Sequence, residues 1–272
     1  MVVAFATAYY ALDGEIKRRN LAFTPADRAL EQEGKRRKLM KLDPYTIVAV
    51  VAFAGILGAK IWHIIDTPAD RLNAETFKSF GALLSWFRGG FAWFGGFVAG
   101  IAALLIIARR NGVNMLTMLD ISSFAAAVGY AVGRIGCLIS GDGDYGKPTT
   151  LPWGMAFPHG IVPTTESCVE WGAAPDCRVH PTPIYEFLIA ILIFWLLWRI
   201  GERALKRRAP SGTIFAAYLV LTGIARFFVE IIRINPRSFL GMSNAQAASV
   251  VSILVGIALF IYRRPRLAAQ AR

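Results

Sequence analysis

The chain has 272 residues, 55% of them hydrophobic, and carries 30 lysines and arginines against 18 aspartates and glutamates, a net charge of +12. A mean hydropathy of +0.47 and several runs approaching the roughly 20 apolar residues that cross a bilayer exclude a soluble globular protein. The basic residues stand in short clusters between those runs, as in "KRRN" from Lys17, "ARR" ending at Arg110 and "YRRPR" ending at Arg266; this is the pattern of cytoplasmic loops, and it excludes a soluble basic domain for nucleic acid.

In chain order, seven spans are predicted, at about 2–12, 45–65, 91–108, 116–139, 184–200, 213–234 and 245–262. The expected fold is an all-α polytopic membrane protein, one integral-membrane domain over 1–272 with an outer loop segment at 140–183. The first span, "VVAFATAYYAL", is about half the length a bilayer requires. It has no basic region before it and no small-residue cleavage site after it, so it does not read as a signal peptide. The segments 13–43, 109–115, 199–212 and 263–272 are read as loops on one side, with twenty lysines and arginines; the opposite loops hold six. That bias predicts an outer N-terminus and a cytoplasmic C-terminus. Cys168 and Cys177 then fall in the outer loop, where an oxidising exterior permits a disulfide; two unpaired thiols are the alternative. Neither cysteine has zinc-finger spacing to a histidine pair, and no metal or cofactor is expected.

Seven ionisable residues fall within or at the ends of spans: Lys60, Asp120, Arg134, Glu186, Arg226, Glu230 and Arg233. Such residues are costly in a bilayer and usually functional. Arg134 lies roughly 8 Å from the outer end of the fourth span, and Arg226 roughly 12 Å from the outer end of the sixth. Glu230 is one turn beyond Arg226 and shares its face. Glu186 opens the fifth span from the same side, and Asp142 and Asp144 follow Arg134 directly. Plainer readings exist for the others: snorkelling for Lys60, a helix-dipole partner for Asp120 and a boundary anchor for Arg233. Gly133 and Gly136 flank Arg134 and remove side-chain bulk beside it. The glycines of "RGGFAWFGGFVAG", Gly95 and Gly96 among them, serve either a ligand or tight helix packing. Two arginines in the outer leaflet point to a phospholipid phosphate, because guanidinium binds phosphate through paired, charge-assisted hydrogen bonds. No P-loop, nucleotide fingerprint or serine-nucleophile elbow competes with that reading.

Four of these stretches, taken in order, resemble a known family. "GRIGCLISGDGDYGKPT" is similar to the signature region of the bacterial prolipoprotein diacylglyceryl transferases. "RGGFAWFGGFVAG", "VHPTPIYEFL" and "LTGIARFFVEIIR" resemble three further family segments, and "MSNAQAASV" fits the last helix. The likeness runs from about Tyr10 to Tyr262. It implies a seven-span inner-membrane enzyme, with its active site towards the outer leaflet. The enzyme would move the diacylglyceryl group of phosphatidylglycerol to the lipobox cysteine of a prelipoprotein, as the first step of lipoprotein maturation.

Carried over by position, Arg134, Gly141, Gly146, Arg226 and Glu230 match family residues important for activity. Asp142 or Asp144 stands for the signature glutamate. Gly133, Gly136, Gly95, Gly96, Tyr185, Glu186 and His180 are expected to line the substrate. The partners implied are phosphatidylglycerol, prelipoprotein signal peptides and membrane lipids, with no nucleic acid, and the chain is expected to act as a monomer. Three positions depart from the family: Phe94 where histidine is usual, Cys137 where asparagine is usual, and Thr222 where tyrosine is usual. The family's favoured base is therefore missing, and His159 and His180 are the outer-loop substitutes to weigh. These departures keep two alternatives open: a sister transferase with a different lipid or acceptor, and a non-catalytic phospholipid-binding protein.

Overall fold

The computed structural model describes residues 2–21, 42–66, 78–79, 81–82, 93–235 and 241–263. Its elements are helices: α1 (Val2–Leu21), α2 (Pro44–Asp66), α3 (Trp93–Arg110), α4 (Met115–Ser140), the short α5 (Thr164–Glu170), α6 (Thr182–Lys206), α7 (Thr213–Ile232) and α8 (Asn244–Arg263). Among the described residues, β-structure is limited to three isolated bridges. Among the described residues, five helices are long and apolar enough to cross a membrane: Pro44–Ile65, Met115–Ser140, Thr182–Lys206, Thr213–Ile232 and Asn244–Tyr262. The chain divides into two compact units, one of residues 1–22 with 119–272, the other of residues 23–118.

In the larger unit, Phe124 and Ala127 of α4 meet Ile193 and Leu197 of α6 and Ile214 of α7, with Ala11 of α1 packed against them. Large apolar side chains on other faces of α6 and α7 and on α8, such as Leu188, Leu192, Phe228, Leu254 and Phe260, are exposed. This is the inverted surface of a protein that meets lipid. α7 and α8 approach closely at two glycines. A Cβ on Gly223 would lie 2.9 Å from Ser249 O, and one on Gly256 would lie 2.8 Å from Ala216 O. Small residues of this kind are how membrane helices come together.

The helix starts are capped in the ways their sequences allow. Asn114 Oδ1 accepts from Leu116 N and Thr117 N at the start of α4. Ser243 and Gln246 cap α8 reciprocally: Gln246 N donates to Ser243 Oγ and Ser243 N to Gln246 Oε1, a capping box. α7 starts at Gly212, which has no capping side chain of its own. Asp120 supplies the cap from α4, accepting from Gly212 N and Phe215 N, each at 2.8 Å. The dipole role expected of Asp120 is thus served on a neighbouring helix rather than on its own.

α1 corrects the sequence reading. The segment 13–43 is expected as a loop, yet the helix continues to Leu21. One face of its second half is buried: Leu12, Glu15 and Ile16 are at most 4% exposed. The reason is local charge cancellation. Glu15 pairs with Arg18 and with Arg19, at i+3 and i+4. The Arg18 guanidinium lies 4.4 Å from the Trp198 ring centre, and Arg18 Nη1 donates to Trp198 O.

In the smaller unit, α2 and α3 pack through Gly55, Gly58, Gly95 and Gly96. A Cβ on Gly95 would collide with Gly58 O, and one on Gly96 would lie 3.1 Å from Gly55 O. Of the two roles weighed for those glycines, tight helix packing is the one their contacts carry. Lys60 is buried at 4% exposure, so it does not snorkel to the surface. Phe94 falls on α3, but its side chain lies outside the described residues.

Residues 141–181 fold on themselves. Tyr145, Cys168 and Val179 form a small core with Phe157 against it. Tyr145 stacks on Phe157 at 4.6 Å between ring centres. Cys168 and Cys177 are joined in a disulfide with Cα atoms 5.9 Å apart, the pairing that the outer-loop reading allows.

Candidate active site

The site forms where charges of α4, α6 and α7 converge. Tyr130 and Arg134 stand one turn apart on α4, Glu186 opens α6, and Arg226 and Glu230 stand one turn apart on α7. Arg233 follows α7 directly. Each pair at i+4 points the same way because 3.6 residues make a turn.

Glu186 is the hub, with its side chain only 3% exposed. One carboxylate oxygen accepts from Tyr130 OH at 2.7 Å and from Arg226 Nη1 at 2.6 Å. The other pairs with Arg134 Nε at 3.1 Å and Arg233 Nη1 at 3.4 Å. Glu230, fully buried, pairs with Arg226 Nη2 at 2.9 Å. It also accepts from Ser243 Oγ at 2.8 Å and from Asn235 Nδ2. Asp144 closes the cluster from the loop after α4, with one carboxylate oxygen on Arg134 and the other on Arg233. Three guanidiniums thus meet three carboxylates, and buried charge persists when it is paired and hydrogen-bonded. The Arg134 guanidinium also lies 4.9 Å from the Tyr130 ring centre. Burial would raise the Asp144 pKa, but Arg233 and then Arg134 outweigh it and hold the carboxyl below the usual aspartate range.

The two aspartates that the sequence could not separate have different places. Asp144 joins the cluster. Asp142 is exposed and accepts from Asp144 N at 3.3 Å. The glycines divide as well. Positions 133 and 136 are exposed, and a Cβ at either would meet nothing within 4 Å, so room for a ligand exists beside Arg134. Gly141, at φ +60°, and Gly146 are steric necessities. A Cβ on Gly146 would lie 2.7 Å from His180 Cβ and 2.8 Å from Ile232 O. That close approach lets Gly146 N donate to His180 O and Lys147 N to Ile232 O, stitching the Asp144 loop to the ends of α6 and α7. Gly95 and Gly96 belong to the other unit.

Cys137 is a free thiol whose sulfur accepts from Arg134 Nη1 at 3.6 Å. Its ligand atom and those of Asp142 and Asp144 lie within 4.8 Å of one another, but Arg134 already sits against two of the three. Thr222 Oγ1 donates to Tyr218 O, its own helix backbone. His180 Nδ1 lies 3.3 Å from Tyr185 OH, which accepts from Trp153 Nε1 at 2.7 Å; His159 is exposed. Sequence reasoning missed Tyr130, Asn235 and Ser243. Tyr130 had a signal, since it stands at i−4 from Arg134 on a face that already carries charge. Ser243 had another, the Ser-x-x-Gln of a capping box. Arg233, read as a boundary anchor, is instead 7% exposed and inside the cluster.

Apolar helices around a buried arginine–carboxylate cluster define a multi-pass membrane protein with a charged site between its helices. The family model of prolipoprotein diacylglyceryl transferase matches residues 2–262. Over 234 residues the chain is 30% identical to the phosphatidylglycerol–prolipoprotein diacylglyceryl transferase of Clostridium tetani, covering 85% of each protein. The enzyme of the same name from Finegoldia magna is 31% identical over 230 residues, 84% of this chain and 82% of the relative. That of Geobacter sulfurreducens is 27% identical over 266 residues, 96% and 87%. The chain belongs to the prolipoprotein diacylglyceryl transferase family.

Proposed function

We propose that this protein transfers the diacylglyceryl group of phosphatidylglycerol to the thiol of a prelipoprotein lipobox cysteine. The observation that carries the reading is the convergence of Arg134, Arg226 and Arg233 on Glu186, in a family whose relatives are named for this reaction. The acceptor attacks as thiolate, because the thiolate is the nucleophile. A bond forms between its sulfur and the glycerol carbon that carries the phosphate. The carbon–oxygen bond breaks, glycerol phosphate leaves with the electron pair, and the thiol proton passes to solvent. Negative charge grows on the leaving phosphate, so guanidiniums already held in place lower the barrier without reorganisation.

Arg134 and Arg226 are assigned to the phosphate. Glu186, Glu230 and Tyr130 position them. The open backbone at Gly133 and Gly136 takes the headgroup. Arg134 and Arg226 also favour the thiolate by opposite charge, so no histidine is required as base. The protein is assigned to the bacterial inner membrane as one integral-membrane domain of seven helices, N-terminus outside, with segment 140–183 and the site on the outer side.

The test is one assay in vitro: purified protein, phosphatidylglycerol and a lipobox peptide, with the product read by mass. A thioether-linked diacylglyceryl peptide and an equal yield of glycerol phosphate are expected. A peptide left unmodified with phosphatidylglycerol but modified with another lipid would move the protein to a sister transferase. No modification with any lipid would leave a binding protein.

A further inference from the structure

Of the three carboxylates in the cluster, Asp144 is the one set apart. Its side chain is 31% exposed, against 3% for Glu186 and none for Glu230. It comes from a loop rather than a helix, directly after Gly143 at φ +89° and three residues after Gly141 at φ +60°. Its backbone is held in place: Thr182 Oγ1 donates to Asp144 O, and Gly146 N donates to His180 O just beyond. Any movement of Asp144 therefore falls to its side chain. That side chain presents one negative charge over two oxygens, one on Arg134 and the other on Arg233. A phosphodiester offers the same: one negative charge over two non-bridging oxygens, a match for a pair of guanidiniums.

We propose that Asp144 is a built-in counter-anion that covers the Arg134 and Arg233 side of the phosphate seat, yields it to the incoming phosphate and reclaims it to expel the product. The proposal rests on the function assigned above. With Asp144 in place the cluster is neutral, three cations against three anions. With Asp144 turned out it carries one net positive charge, which the lipid phosphodiester cancels. After transfer the leaving group is a phosphate monoester of higher charge, which two buried arginines would otherwise retain. The return of Asp144 restores neutrality and lets the product go. No bond is made or broken by Asp144 itself.

The experiment compares the unmodified protein with Asp144→Asn and Asp144→Ser in detergent, by calorimetry with glycerol phosphate and with inorganic phosphate, and in nanodiscs with phosphatidylglycerol. The variants should bind glycerol phosphate about tenfold more tightly, the scale of one released close charge pair. A gain confined to the nanodisc arm would place the seat on the lipid headgroup; a gain in the soluble arms as well would show that free phosphate reaches it. In peptide lipidation, the variants should show a burst of thioether product followed by slower turnover, with stronger inhibition by added glycerol phosphate. Unchanged or weaker binding in every arm, with both variants folded, would overturn the proposal. Should the variants fail to fold, the unmodified protein still decides. Its infrared carboxylate bands should shift when glycerol phosphate is added, and bands that stay fixed at saturation would end the idea. A protein that binds glycerol phosphate in this way but never forms a thioether would refute the assigned reaction and leave the anion exchange standing.

Discussion

Each arginine of the site is held by two or more carboxylates, and this decides what substitution does. Removing one member of a buried ion cluster leaves another charge unpaired, which costs about 3–5 kcal/mol. Arg134→Lys avoids that loss, because lysine keeps the charge while giving up the planar fork. One ammonium cannot hold Glu186 and a phosphate together in the geometry that Arg134 provides. The variant should fold, and its lipidation rate should fall by about 10²–10³, the scale of losing one preorganised donor. Near-normal rates would remove Arg134 from the phosphate. Histidine is the second question at this scale. His180 meets Tyr185 rather than an arginine of the cluster, and His159 is exposed. A general base contributes about 10²–10⁴, so His159→Gln and His180→Gln should each lose far less than a hundredfold. A hundredfold loss in one of them, with the acidic limb of its pH profile gone, would make that histidine the base. The residues of this cluster were largely legible in the sequence, because charge inside an apolar run is rare. The choice of Asp144 over Asp142 was not. It depends on the turn at Gly143 and on the hydrogen bond from Thr182, 38 residues away.

At the scale of elements, the site depends on connections that no single helix carries. Gly146 lets the Asp144 loop lie against His180 and the end of α7. Gly146→Ala should push that loop away and cost about 1–3 kcal/mol, as overpacking does. Faster amide exchange at Lys147 and His180 would report it, and unchanged protection there would show that the contact is dispensable. Asp120 matters in the same way, since it caps α7 from α4. Asp120→Ala should cost about 1–2 kcal/mol, while Asp120→Asn, which keeps an acceptor, should recover most of it. Melting curves in detergent compare the two, and equal melting temperatures for alanine and wild type would disprove the cap. Helix positions were readable from hydropathy because bilayer-length apolar runs leave few alternatives. The second half of α1 was not. Its charges read as loop, because the pairing of Glu15 with Arg18 and Arg19 hides them only once α4 and α6 are packed alongside.

For the whole molecule, the arrangement of charge along α4 carries the orientation. Asp120 and Arg134 are fourteen residues apart, about 21 Å along the helix, so two buried ionic clusters sit at opposite ends of one element. The Asp120 end gathers Arg19 and Glu15 and adjoins the basic segment at 199–212. The Arg134 end adjoins the disulfide-bonded segment, which holds only Lys147 and Arg178 between positions 140 and 183. Lysine and arginine are retained on the cytoplasmic side, and disulfides persist on the oxidising side. Both rules favour the same proposed orientation of α4, with Arg134 towards the outside. A cell with this protein in its inner membrane should therefore admit a membrane-impermeant thiol reagent to Cys168 and Cys177 only after reduction from outside. A cysteine placed at Ser211, in the 199–212 segment, should stay unlabelled until the membrane is opened. Labelling of that cysteine in intact cells would reverse the topology. It would also put the arginine cluster on the cytoplasmic face, where a secreted prelipoprotein does not present its thiol.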